Sequence, residues 1–237
     1  MPMKPWLRYW GVALMTLGNV TTSVGSVNEW TGKIEPKLEK VIQSILKEAC
    51  IRIIRRQDYD RKWEETVFMF KIKDEMQSIK DEWGYHLLID REVVCDDADY
   101  SSKPKKAPRI DIRVLAWIEN NPYYGIEGKI LVQSDWEKRK ASDLRQRYIN
   151  TGIDNFRLAR YCNYENKGCL LGIVIAGSTE SVIGQINRLL QRRGRVSETL
   201  QNLVPLHKVG HYSNSKHTRV TDNRAIILHH FIFGFNE

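Results

Sequence analysis

A chain of 237 residues suffices for one domain of moderate size with a short extension, and is ample for a buried core. Its 37 Lys and Arg against 29 Asp and Glu leave a formal charge of +8, which attracts polyanions such as nucleic acid. No two of Cys50, Cys95, Cys162 and Cys169 form a Cys-x-x-Cys pair, which argues against a zinc ribbon; reduced thiols of a cytoplasmic protein are expected.

Lys4 and Arg8 precede a short apolar run, residues 10–18, and small residues follow to Ser26, the outline of a secretory signal. The run is too short to span a bilayer. Arg8, Tyr9 and Asn19 interrupt it, so an N-terminal strand or helix packed on the domain, or a subunit contact, is the expectation adopted. From Ile34 to about Arg56, Leu38, Val41, Ile42, Ile45 and Leu46 form the apolar face of a helix. Residues 1–57 are therefore assigned to an extension and a helix packed on the core, and 58–237 to the main domain.

From Asp58 to about Lys80, Glu65, Met69, Ile72, Met76 and Ile79 recur at helical steps. Glu65 stands at the inward end of that stripe, where a carboxylate is expensive unless paired or bound to a cation. Glu64 is the second choice, and both equally suit the first helical turn as solvated acids favoured by the dipole. Glu92, on the edge of the apolar stretch around Val93, is a weaker candidate. Lys103 to Pro108 predicts a surface loop, with a mobile flap over substrate as the less common outcome.

Ile110, Ile112, Val114 and Ala116 alternate with Asp111, Arg113, Leu115 and Trp117, the period-two mark of a strand. After the turn-like Asn120-Asn121-Pro122, Tyr123 to Val132 reads as a second strand. Residues two apart share a face, so Glu127 and Lys129 project together, away from Ile126 and Ile130. A hairpin between the strands brings Asp111 level with Glu127. Two acids and a lysine so placed suit a divalent cation beside a polarised water, the equipment for cutting a phosphodiester bond. Glu35-Pro36-Lys37, Asp60-Arg61-Lys62 and Glu165-Asn166-Lys167 share the tripeptide spelling, but none follows such a strand pair.

Ser134 and Glu137 read as a capping box for a helix from about residue 135 to Thr151, stopped by Gly152. Another helix, Thr179 to Arg193, is capped by Ser178 and turns Val182, Ile183, Ile186, Leu189 and Leu190 to the core. His207, His211, His217, His229 and His230 match no firm metal motif; His217 and Arg219 are left as contacts for phosphate or a partner. Ala225 to Phe235 is a strongly apolar strand. Strand, helix and strand in alternation predict a sheet flanked by helices.

Pro108-Arg109-Ile110-Asp111 and Glu127-Gly128-Lys129 resemble the two motifs of the PD-(D/E)xK, or restriction-endonuclease-like, nucleases. The likeness runs through Tyr148 to Ile153 and Cys169 to Ile175 to the segment from His217 to Phe231, and its layout is similar to restriction and phage-defence members. Only the two acids and the lysine are specific. Leu144 stands where RecB-like exonucleases carry a Gln, which argues against a simple exonuclease of that type.

The resemblance implies an α/β fold, a central mixed sheet flanked by helices with an α-β-β-β-α-β core. It implies a metal-dependent nuclease, an endodeoxyribonuclease of bacterial restriction or antiviral defence, using Mg²⁺ or Mn²⁺. Asp111, Glu127, the Gly128 carbonyl and Glu65 would hold the metal, and Lys129 would polarise the attacking water. The basic groups Lys105, Lys106 and Arg109 before the first motif, and Lys138, Arg139 and Lys140 after the second, would border the nucleic-acid groove. Arg145 and Arg147 are assigned instead to a helix end. DNA is favoured over RNA, with a homodimer or a separate ATPase or helicase subunit as partner, since no Walker A sequence is present. No membrane association is expected. The alternative is a non-catalytic nucleic-acid-binding or assembly subunit that retains the fold.

Overall fold

Two amphipathic helices open the computed structural model, which describes residues 36–94, 109–116, 123–162 and 165–236. The N-terminal run, Cys95, the loop with Lys105 and Lys106, and Trp117 lie outside the described residues. In α1 (Pro36–Arg56), Ile42, Ile45, Leu46, Ala49 and Ile53 are buried; in α2 (Glu65–Glu82), Phe68, Met69, Ile72, Met76 and Ile79 are buried. The described residues fall within one compact unit, 32–237, which takes in α1. Helix α2 begins at Glu65 rather than Asp58. The preceding segment is a turn, with the Lys62 amide donating to Asp60 Oδ1 at 2.8 Å.

Strands β1 (Leu87–Val94), β2 (Arg109–Ala116) and β3 (Tyr124–Val132) form an antiparallel meander. Then follow α3 (Ala141–Arg147), a π-helical turn (Tyr148–Ile153) and the short α4 (Asp154–Arg157). Strand β4 (Lys167–Ala176) lies parallel to β3. Helix α5 (Thr179–Arg192) leads to β5 (Gln201–Leu206), β6 (Gly210–Thr218) and β7 (Ala225–Gly234). The result is an α/β protein with one seven-stranded mixed sheet, ordered β1-β2-β3-β4-β7-β6-β5. Strand β7 returns parallel to β4, and β5, β6 and β7 are antiparallel.

The sheet has an apolar layer on each face. Helices α1 and α2 cover Ile112, Ile126, Ile130 and Ile173; the π turn, α4 and α5 cover Leu131, Leu170, Val174 and Ile232. Strands β3 and β4 are buried almost throughout, as expected of central strands covered twice. Cys50 and Cys169 are free, buried thiols, and Cys162 is buried. Among the described residues no helix is long and apolar enough to cross a membrane.

The segment after β3 departs from its expected form. Ser134 and Glu137 make no capping box: Glu137 occupies a left-handed turn at φ 49°, and the helix begins at Ala141. Asp135 Oδ1 accepts from the Ala141 amide at 2.9 Å, holding the helix entrance from the far side of the turn. Gly152 does not stop the helix. It lies inside the π turn, where an added Cβ would come within 2.5 Å of Leu170 Cδ2, so glycine serves a close approach of helix to sheet.

Candidate active site

The candidate site forms where β2 leaves β3. Their ladder pairs Val114 with Tyr124, Arg113 with Gly125 and Ile112 with Ile126, and no farther. Beyond it, the polar backbone of Gly128 and Ile130 needs other partners. Asp111 Oδ2 accepts from the Gly128 amide at 2.7 Å. Glu65 Oε2 accepts from the Ile130 amide at 3.2 Å. Lys129 Nζ donates to the Gly128 carbonyl at 2.7 Å. Three candidate side chains thus complete the interrupted strand edge and are held by it.

Glycine at 128 also sets the position of Glu65. A Cβ there would lie 2.2 Å from Met69 Sδ, so only glycine lets α2 approach β3 this closely. Met69 sits one turn after Glu65, and the approach carries Glu65 Oε1 to within 2.9 Å of Lys129 Nζ. Arg139 reinforces the placement by donating to the carbonyls of Arg61, Lys62 and Trp63 at 2.8, 3.1 and 2.8 Å, which fixes the chain entering α2.

Lys129 is the hub. Its Nζ also donates to Glu127 Oε1 at 2.7 Å, and both side chains belong to residues only 4 % exposed. Burial works against the ammonium, but the charges of Glu127, Glu65 and Asp111 outweigh it and hold the lysine above its ordinary value. Burial pushes Glu127 up to about 8; the Lys129 charge opposes the shift, and Asp111 and Glu65 add to it. Asp111 is also raised by burial, against the pull of Lys129 and the Gly128 amide. Glu127 Oε2 is buried with no hydrogen-bond partner. Among the described residues no three His, Cys, Asp or Glu side chains form a cluster able to hold a metal ion. Glu65 and Glu127 instead face a shared ammonium, and the Gly128 carbonyl faces it too.

Asp111, Glu127, Gly128, Lys129 and Glu65 therefore come together. Glu64 is exposed, 3.7 Å from Arg139. Glu92 is exposed on β1 at φ 47°, and its charge contributes to the rise of Asp111. Arg109, Lys138 and Lys140 are exposed, whereas Arg139 directs its guanidinium to the backbone contacts above. Two further neighbours are not placed at the site from the sequence: Tyr161 is not singled out there, and Arg147 is given to a helix end. Tyr161 donates its hydroxyl to Glu127 Oε1 at 3.4 Å, and an Arg147 guanidinium nitrogen lies 3.8 Å from Glu65 Oε1. Neither has a local spacing that ties it to the motif.

The histidines make a separate, internal chain. Glu198 Oε2 lies 2.6 Å from His217 Nδ1, and His217 Nε2 lies 2.5 Å from Ser215 Oγ. Ser215 Oγ is 2.6 Å from His230 Nε2, and His230 Nδ1 is 2.7 Å from the Tyr148 hydroxyl. With Glu198 ionised and both rings neutral, one proton assignment satisfies every member: Tyr148 donates to His230, His230 to Ser215, Ser215 to His217, and His217 to Glu198. The Ser-His-Glu order is that of a nucleophilic triad, but Ser215 is 1 % exposed and the chain is satisfied within itself. His217 and Arg219 are thus not surface contacts for phosphate: Arg219 is buried and donates to the carbonyls of Cys162 and Glu165.

Comparison with protein-family models, curated proteins and solved structures finds no match. The fold is an α/β mixed sheet, and its acid–lysine fork is the feature from which function must be argued.

Proposed function

We propose that this chain is a metal-dependent nuclease hydrolysing phosphodiester bonds, with DNA as its substrate. The observation that carries the reading is the convergence of Asp111, Glu127, Lys129 and Glu65 at one strand fork. The succession α2-β1-β2-β3-α3-β4 supports it, being the α-β-β-β-α-β order of the restriction-endonuclease-like core. So does the partnerless Glu127 Oε2, a buried carboxyl oxygen suited to a cation.

A hard divalent ion, Mg²⁺ or Mn²⁺, fits these donors in kind, with Asp111, Glu127 and the Gly128 carbonyl as ligands and Glu65 beside them. When bound, such an ion neutralises charge on the phosphate and acidifies a water. The remaining work falls to the chain. Lys129, released from Glu127 and the Gly128 carbonyl, presents a fixed ammonium to the phosphate oxygens or the attacking water. Tyr161 steadies Glu127 from behind. A role in restriction or antiviral defence follows from the resemblance of the motifs alone.

One observation favours a second reading, a nucleic-acid-binding subunit without catalysis: Lys129 already neutralises the acids internally. Incubation of linear DNA and RNA with the protein in Mg²⁺, Mn²⁺ or EDTA, beside Lys129→Ala, separates the two. Metal-dependent cleavage of DNA that Lys129→Ala lacks supports the nuclease. Binding without cleavage under every condition supports the second reading.

A further inference from the structure

We infer that Arg147 is a substrate-binding residue of this site, contacting the phosphate backbone of nucleic acid; the inference rests on the nuclease reading. Among the described residues, Arg147 and Lys129 are the two cations in ion-pair range of the Asp111, Glu127 and Glu65 group. They differ in access. Lys129 is enclosed, whereas the Arg147 side chain is 56 % exposed and meets Glu65 only at 3.8 Å, beyond hydrogen-bond reach. A guanidinium so placed keeps its donors for a ligand at the mouth of the site, and its planar fork suits two phosphate oxygens.

The usual explanation of such a residue, a cation soothing a helix C-terminus, does not hold here. The chain does not end at Arg147 but runs on as a π turn into α4, and the Thr151 hydroxyl already donates to the Arg147 carbonyl at 2.9 Å. Single π turns recur at functional sites. This one is anchored at its first residue, where the Tyr148 hydroxyl meets His230 Nδ1 at 2.7 Å, and at Gly152, packed on Leu170. The position of Arg147 is thereby fixed from beneath while its head stays in solvent.

The test uses the full chain carrying Glu127→Gln to suppress cleavage, with Arg147→Met or Arg147→Lys added, and a fluorescent DNA duplex in Mg²⁺ read by anisotropy over a range of salt. Arg147→Met should weaken binding roughly 10-fold or more, irrespective of sequence. The slope of log affinity against log salt should fall by about 1. Arg147→Lys should keep the slope and recover part of the affinity, having the charge without the fork. The thermal midpoint should not move, which a merely structural role would not permit. An unchanged affinity and slope in Arg147→Met overturns the inference and leaves the nuclease reading intact. Failure of the parent protein to bind or cut DNA or RNA overturns both.

Discussion

Glu127 and Lys129 are a buried pair in a network with Glu65 and Asp111, so changes at either should be felt. On the proposed nuclease reading, removing one preorganised charged group from this site should cost about 100- to 1000-fold in rate. Lys129→Met should leave the acids without their internal cation, at a cost of roughly 3 kcal/mol in stability. Added Mn²⁺ should restore part of that loss, raising the melting midpoint of Lys129→Met more than that of the wild type. Equal shifts in a thermal melt would show that the ion does not meet the oxygens now bound to Lys129. The acids and the lysine were readable in the sequence because strand alternation puts residues two apart on one face. The contacts of Tyr161 and Arg147 were not, since both arrive from the helical crossover, by way of packing that no local spacing records.

At the scale of elements, Gly128 couples β3 to α2. Gly128→Ala should cost about 1–3 kcal/mol by overpacking against Met69, and should carry Glu65 away from Lys129. Urea unfolding of Gly128→Ala, Met69→Ala and the double variant gives the coupling, and the second change should relieve much of the first. Additive effects would mean that the close approach has another cause. Sequence periodicity served where burial is apolar: α2 and α5 carry their stripes, and Ser178 accepts from the Ser181 amide at 3.4 Å as a cap. It misled at α3, because Ser134 and Glu137 match a capping pattern whose backbone is spent on a tight turn. It passed over β6, whose buried positions, Ser213, Ser215 and His217, alternate faithfully but are polar. Their burial is offset by hydrogen bonds rather than by hydrophobicity. Ser215→Ala should therefore cost about 1–3 kcal/mol for each ring nitrogen it strands, again measurable in urea.

The whole molecule should be most stable near neutral pH. Burial holds His230 well below the ordinary histidine value, with His217 and His229 adding; burial also lowers His217, against Glu198. The unfolded chain binds these protons below about 6.5 and the folded one resists them, so stability falls as pH drops from that value. Burial alone would raise Glu198, but its bonds to His217 and Arg195 bring it down to about 2; its contribution is full above 4.5 and fades toward 2. Glu127 acts in the opposite sense: raised to about 8 by burial, it favours the fold at low pH and withdraws that support as pH rises from 4.5 through 8. Chemical denaturation across pH 4 to 9 should trace this dome, with Glu127→Gln flattening its alkaline side. The net charge of +8 adds a salt-sensitive attraction for polyanions.

Supercoiled plasmid nicking, timed for wild type and Glu127→Gln in Mg²⁺ with an EDTA control, tests the central claim most directly. The account predicts nicking by the wild type only with the ion, and a rate at least about 100-fold lower for a folded Glu127→Gln protein. Cleavage that survives in EDTA, or at full rate in Glu127→Gln, would contradict it.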